Sequence, residues 1–151
     1  MKEKKSSYRL GPILVNGQKL IDYVIPGNRV RSRELVRRMI PALIELVRQR
    51  QMTTYGELAR RIQFGSNRIS LQLGDIIRII SELSKQLDRQ IPHITGIATY
   101  RDGRTGAGFE NVVPGFNEMT VREQIEARDR INQEAYDFSD WDDVLAYLDL
   151  S

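Results

Sequence analysis

The chain has 151 residues, with 23 Lys and Arg against 20 Asp and Glu, a formal net charge of +3 and no cysteine. That length suits one domain with its own core, and the absent cysteine excludes disulfides, thiolate metal sites and thiol nucleophiles while agreeing with a reducing cytoplasm. No apolar run approaches the ~18 residues of a membrane span, and the charged start at residues 1–7 has no apolar segment behind it, so neither a membrane partner nor a secretory signal is expected.

Residues 1–7 are expected to be disordered. Ile13-Leu14-Val15 and Leu20 to Ile25 flank Asn16-Gly17, and Asn-Gly between apolar runs predicts a β-hairpin with a type I′ turn. Pro12 suits an edge or a strand start. Pro26-Gly27-Asn28 ends the hairpin, and Ser32 can cap a helix whose apolar positions are Leu35, Val36, Met39, Ile40, Leu43, Ile44 and Val47. Pro41 inside that pattern is expected to kink or interrupt it. Arg48 and Arg50 at its end suit the helix dipole, whereas Arg29, Arg31, Arg33, Arg37 and Arg38 at its start oppose the dipole and point to a partner.

Thr53 or Thr54 can cap a short helix from Tyr55, with Glu57 completing a capping box. Leu58, Ala59 and Ile62 would be its buried face, and Arg60 and Arg61 would face outward. After a turn at Gly65-Ser66-Asn67, Ile69, Leu73, Ile76, Ile77, Ile80 and Leu83 form one face of a longer helix. Its early positions offer Asn67, Arg68, Ser70, Gln72 and Asp75. These side chains could reach base edges or phosphates, as the first residues of a recognition helix do, or simply cap the helix. Ile91 to Tyr100 is β-branched and reads as a strand. The loop Arg101 to Gly108 that follows would be either a wing placing Arg101 and Arg104 beside a phosphate or an ordinary glycine-rich turn. It lacks the Gly-Lys-Ser/Thr of a nucleotide loop.

Thr120 is expected to cap a helix from Val121 to about Tyr136. After a break at residues 137–140, a short helix would run from Trp141 to Leu148. Trp141, Val144, Leu145 and Leu148 would dock it on the main body. The alternative is that Trp141, Asp142, Asp143 and Tyr147 meet a protein partner or that the segment covers the basic face. Charge is divided along the chain: residues 1–115 carry 20 basic and 10 acidic side chains, a net of +10, and residues 116–151 carry 3 and 10, a net of −7. Most of the basic residues of the first part are arginine, which favours bidentate phosphate contact.

The expected fold class is therefore α+β: a winged helix-turn-helix core over residues 8–115 with an N-terminal β-hairpin, and an acidic helical tail over 116–151 packed on it. Enzymatic signals are thin. His93 is the single histidine, which fits a hydrogen-bonded structural residue better than a general base. Zinc sites of Cys and His are unavailable, and Asp137, Asp140, Asp142 and Asp143 lack the glycine and the bidentate Glu of a calcium loop. No cofactor is expected; a metal nuclease built from scattered carboxylates stays open.

Thr54-Tyr55-Gly56-Glu57-Leu58-Ala59, Gly74 in the next helix, Ile91-Pro92-His93-Ile94 and the glycine-rich stretch from Arg101 to Phe109 together resemble the DNA-binding half of alkylguanine-DNA alkyltransferases and alkyltransferase-like proteins, over roughly residues 35–110. The resemblance implies a winged helix-turn-helix gripping the minor groove, with Tyr55 at the family's phosphate-contacting position. The family's Pro-Cys-His-Arg or Pro-Trp-His-Arg signature would fall just after Ile94, where the chain has Thr95-Gly96-Ile97-Ala98. Without that thiolate, alkyl transfer is excluded. Leu71 stands where the family carries an intercalating arginine, which leaves shape and phosphate binding rather than base flipping. The function expected is thus non-catalytic, phosphate-dominated binding of duplex DNA through Thr54, Tyr55, Arg60, Arg61, Asn67, Arg68, Ser70, Gln72, Arg101 and Arg104, with RNA a competing polyanion. The alternative is a protein-interaction module, an adaptor, inhibitor or immunity-type component of a phage or anti-phage system.

Overall fold

The computed structural model describes residues 10–65 and 69–151. The expected disorder of residues 1–7 and the candidate contacts Asn67 and Arg68 lie outside the described residues. The chain is a mixture of helix and short strand pairs: six α-helices and two two-stranded sheets among the described residues.

The hairpin forms from β1 (Leu14–Val15) and β2 (Gln18–Lys19), antiparallel with Leu14 opposite Lys19 and Val15 opposite Gln18. Asn16 and Gly17 take φ values of 52° and 78°, the pair of left-handed residues that a type I′ turn requires. The second predicted strand is a correction: Leu20–Val24 is a helix, α1. Leu20, Ile21 and Ile25 are all buried. Neighbouring Leu20 and Ile21 would point to opposite faces of a strand, but the three share one stripe of a helix. A β-branched apolar run was open to both readings, and packing decided it.

The helix α2 (Val30–Arg48) runs unbroken past Pro41 and buries the expected positions from Leu35 to Val47. It begins earlier than Ser32, which is not its cap. The Ser32 hydroxyl is turned inward and accepts hydrogen bonds from Arg29 Nη2 at 3.0 Å and Gln72 Nε2 at 2.9 Å. After β3 (Thr53–Thr54) comes α3 (Tyr55–Arg61), capped by Thr54, one of the two expected caps; its Oγ1 accepts from the Glu57 amide at 3.2 Å, without the return bond of the expected capping box, since Glu57 pairs with Arg60. The longer α4 (Ser70–Leu87) buries Leu73, Ile76, Ile77, Ile80 and Leu83 against α1 and α2.

The strand predicted over 91–100 contracts to β4 (Ala98–Thr99), preceded by a 3-10 turn at Thr95–Ile97. Residues 94–99 are buried consecutively rather than in alternation. Ile91, Ile94 and Ile97, three apart, all enter the core, a spacing that a 3-10 turn satisfies and a pleated strand does not. β4 pairs in parallel with β3, Thr53 opposite Ala98 and Thr54 opposite Thr99. The helices α3 and α4 form the crossover between these strands, so the ends of the two helices and the residues after β4 are held side by side.

Thr120 and Glu123 make a reciprocal capping box at the start of α5 (Val121–Asp137). The last helix, α6 (Trp141–Tyr147), docks on the main body. Trp141, Val144 and Leu148 belong to the same core as α1, α2 and α4, and the Trp141 indole donates to the Ala135 carbonyl at 3.0 Å. Trp141 is therefore a core residue and not a contact for a partner; its ring was too large to leave exposed next to an open apolar seam. A smaller cluster of Phe109, Phe116 and Ala127 lies beside that core. No described helix is long and apolar enough to cross a membrane.

Charges separated along the chain meet in space. Arg48 pairs with Asp142, Arg50 with Asp137, Arg89 with Asp140 and Lys19 with Asp149, joining the basic part to the acidic segment. The arginines at the start of α2, expected to serve a partner, are also engaged within the chain. Arg33 and Arg37 reach Asp22, Arg38 donates to the Ile62 carbonyl, Arg31 lies over the Phe64 ring, and Arg29 grips Asp75. Their partners are too distant in sequence for local spacing to show.

Candidate functional site

Three adjoining cavities run along one face where α3, the first turn of α4 and the loop after β4 converge. The first, about 380 Å³, lies among Tyr55, Leu71, Ile77, Thr95, Tyr100 and Phe109. The second, about 610 Å³, shares Tyr55, Ser70 and Tyr100 with the first and adds Thr54, Arg60 and Arg101. The third, about 690 Å³, shares Thr54 and Arg60 with the second and extends to Met52, Glu57 and Arg61. Shared walls make these one groove.

Each wall follows from the local fold. Thr54 is the capping residue of α3, which sets Tyr55 at its first turn. The Tyr55 ring is buried, and its hydroxyl accepts a hydrogen bond from the Gly106 amide at 3.0 Å. Burial first, and then the neighbouring Tyr100, push the Tyr55 phenol above its usual range, against a smaller opposite effect of the Gly106 bond. The phenol is neutral at physiological pH. Tyr100 meets Tyr55 edge to face, centroids 4.6 Å apart, and is itself 41% exposed. The loop after Tyr100 closes on itself: Gly103 donates to the Tyr100 carbonyl at 2.9 Å and Tyr100 to the Arg104 carbonyl at 2.8 Å. Gly103 takes φ 90° at that turn, a conformation open to glycine at little cost.

Thr54, Tyr55, Arg60, Arg61, Ser70 and Arg101, six of the residues predicted from sequence, are thus gathered on one groove from three separate segments. Arg60 pairs with Glu57 one turn earlier on α3. Arg61 and Arg101 are exposed. Among the described residues, no carboxylate lines the first two cavities, and Glu57 is the one carboxylate lining the third. Arg61 and Arg101 are therefore the exposed basic side chains of the groove, beside the Arg60–Glu57 pair.

Gln72 and Asp75 are corrections. Gln72 is buried, with its amide on Ser32, and Asp75 is fully buried between Arg29 and Arg78. Arg29 holds Asp75 through two bonds, Nη2 to Oδ2 at 2.7 Å and Nη1 to Oδ1 at 3.2 Å. Both side chains pin α4 to the start of α2. Arg104 pairs with Asp102, Nε to Oδ2 at 2.7 Å, lies over the Tyr100 ring, stays exposed, and lines a separate cavity with Gln124 and Arg128. The Arg104 amide and then its side chain hold the Asp102 carboxyl below the usual range.

Of the residues assigned to a protein partner, Trp141 is enclosed, Asp142 pairs with Arg48, Asp143 is half-buried, and Tyr147 is half-buried with its carbonyl accepting from Ile13 at 2.9 Å. Sequence reasoning missed Tyr100 and Thr95 as groove residues, and named Leu71 only as the residue at the resembled family's intercalating position. Leu71 is 58% exposed on the first turn of α4, a break in the apolar periodicity that could have marked it. Tyr100 and Thr95 carried no such signal, being embedded in an apolar run. No family model, no curated protein and no solved structure matches the chain.

Proposed function

We propose that the protein is a non-catalytic binder of duplex DNA, with α3 and α4 acting as a helix-turn-helix and the 100–106 loop as its wing. One observation carries this: the predicted contact residues Thr54, Arg60, Ser70 and Arg101 line one groove with no carboxylate among the described residues of its first two cavities, Arg61 and Arg101 standing exposed on it, while four of the basic residues elsewhere pair with the acidic segment. Phosphates supply the negative charge such a groove attracts, hydroxyls and the first amides of α4 add neutral donors, and little in the groove reads base edges. The binding is therefore weakly sequence-specific.

The test is a fluorescence-anisotropy titration of the full chain against duplex DNA over a series of salt concentrations. Duplex binding is expected at low salt, with log affinity falling linearly in log salt. Each phosphate contact contributes about 0.9 to that slope. Replacing Arg60, Arg61 and Arg101 together by alanine should therefore flatten it by roughly two to three, whereas Arg48→Ala with Arg50→Ala should leave it nearly unchanged. Absence of duplex binding at low salt, or equal effects of the two sets of substitutions, overturns the reading. Single-stranded DNA and RNA of matched length serve as competitors, and preference for either would transfer the groove to that polymer.

A further inference from the structure

The arginines at the start of α2 divide according to what they meet. Arg29 holds Asp75, and Arg33 and Arg37 share Asp22. Arg31 and Arg38 meet neutral groups instead. The Arg31 guanidinium lies 5.1 Å from the centre of the Phe64 ring, and Arg38 Nη1 donates to the Ile62 carbonyl at 3.1 Å. Neither contact cancels charge, and both residues stay exposed.

Both arginines arrive at the C-terminal end of α3. There the chain turns through Gln63 at φ 61°. Gln63 donates to the Arg60 carbonyl at 3.0 Å and Phe64 to the Ala59 carbonyl at 2.8 Å, the paired bonds that close a helix on a left-handed residue. Ile62 and Phe64 are thereby fixed just past Arg61, the last residue of α3 and a lining residue of the third cavity. Arg31, Arg38 and Arg61 are thus gathered at one helix end, all exposed, and among the described residues none of them has a carboxylate partner. The helix dipole favours a cation at that end, but three like charges repel one another and find a counter-charge only outside the chain.

We propose that this cluster is a second phosphate-contact surface, on which the backbone of a bound duplex continues past Arg61 and crosses the end of α3 onto Arg38 and Arg31. The inference rests on the duplex-binding reading and extends its footprint to α2. Arg61 joins the two surfaces, since it lines the groove and begins the cluster. Arg38 uses one guanidinium nitrogen on Ile62 and keeps the rest of its donors for phosphate oxygens. Arg31, laid on the Phe64 ring, is oriented without using a donor at all.

The experiment is the salt-resolved anisotropy titration of the full chain on duplex DNA, with two double variants of α2 that remove equal charge. Arg31→Ala with Arg38→Ala should flatten the dependence of log affinity on log salt by about 1.8, at about 0.9 for each lost phosphate contact. Arg33→Ala with Arg37→Ala, which removes guanidiniums already facing Asp22, should leave it nearly unchanged. At position 38, Arg38→Lys keeps a charged donor and should keep the slope, whereas Arg38→Gln keeps a neutral donor and should lose about 0.9 of it. Melting temperatures of the same variants separate loss of charge from loss of the contact with Ile62. Equal slopes for the two double variants, or a slope at position 38 that follows melting temperature rather than charge, would overturn the proposal. If replacing Arg60, Arg61 and Arg101 flattens the slope while R31A with R38A does not, the groove reading stands and this extension alone falls. Absence of duplex binding by the wild-type chain removes both.

Discussion

Gly96 offers the most direct test of how the wall of the groove is held in place. A Cβ on Gly96 would lie 2.5 Å from Asn132 Oδ1 and 3.1 and 3.2 Å from the Phe109 ring. Asn132 is 2% exposed and donates to the Gly96 carbonyl at 3.1 Å, tying α5 to the 3-10 turn. In Gly96→Ala the methyl must displace the amide, leaving a buried donor and acceptor unsatisfied at about 1–3 kcal/mol, and press on Phe109 at about 1–3 kcal/mol. The lost freedom of glycine in the unfolded chain returns about 0.4–1 kcal/mol. The expected net loss is about 2–4 kcal/mol, a large share of the roughly 5–15 kcal/mol that holds a domain folded. Urea denaturation of G96A and wild type measures it. Asn132→Ala clears the nearer obstruction, so the cost of G96A in that background should fall by about half or more. A loss under about 0.5 kcal/mol, or the same loss with and without Asn132, would refute the steric account.

Other perturbations separate the remaining contacts. Arg29→Ala leaves fully buried Asp75 with Arg78 as its one cationic partner and should cost about 1–3 kcal/mol; an unchanged melting temperature would show that Arg78 suffices. In Gly106→Ala the new Cβ would lie 2.8 Å from the Tyr55 hydroxyl, so the bond to the Gly106 amide breaks. A loss of about 1–2 kcal/mol with weakened duplex binding is expected, and full binding by a destabilised variant would separate Tyr55 from the interface. His93 is held below its usual 6.5 by burial. Below that pH the unfolded chain takes up a proton that the folded protein resists, so stability is full above about pH 6.5 and declines as pH falls. Urea midpoints at about pH 7.5 and about pH 5.5 should converge in His93→Gln, and an equal acid-induced drop in both proteins would place its source elsewhere.

How much of this was legible depended on whether the deciding partner lay nearby in sequence. The caps Thr54 and Thr120, the Asn16-Gly17 turn and the apolar faces of α2 and α4 are local features, and each stands where spacing put it. Leu20–Val24 became helix because Leu20 and Ile21 both had an apolar surface to cover on α4. Gln72 and Asp75 looked solvent-facing because their partners Ser32 and Arg29 sit 40 and 46 residues earlier, at the start of another helix. The segregated charges suggested an unpaired basic surface, yet distant carboxylates neutralise much of it. The groove residues Thr54, Arg60, Ser70 and Arg101 were recognisable by chemical type. Thr95 was not, since its placement follows from the packing around it.

The parallel pairing of β3 with β4 also sets what can be moved from one protein to another. Its ladder joins residues 53 and 54 to residues 98 and 99, and everything between them is the crossover that brings Arg60 and Arg101 to one groove. Residues 53–61 carry Thr54, Tyr55, Arg60 and Arg61, but Ser70 and Arg101 reach the groove only through the crossover. A graft onto a foreign scaffold would have to transfer the whole interval, together with the apolar floor that α1 and α2 provide beneath α4. The groove is thus portable only as a unit of the fold, and a circular permutant that keeps residues 53–109 contiguous is expected to preserve it.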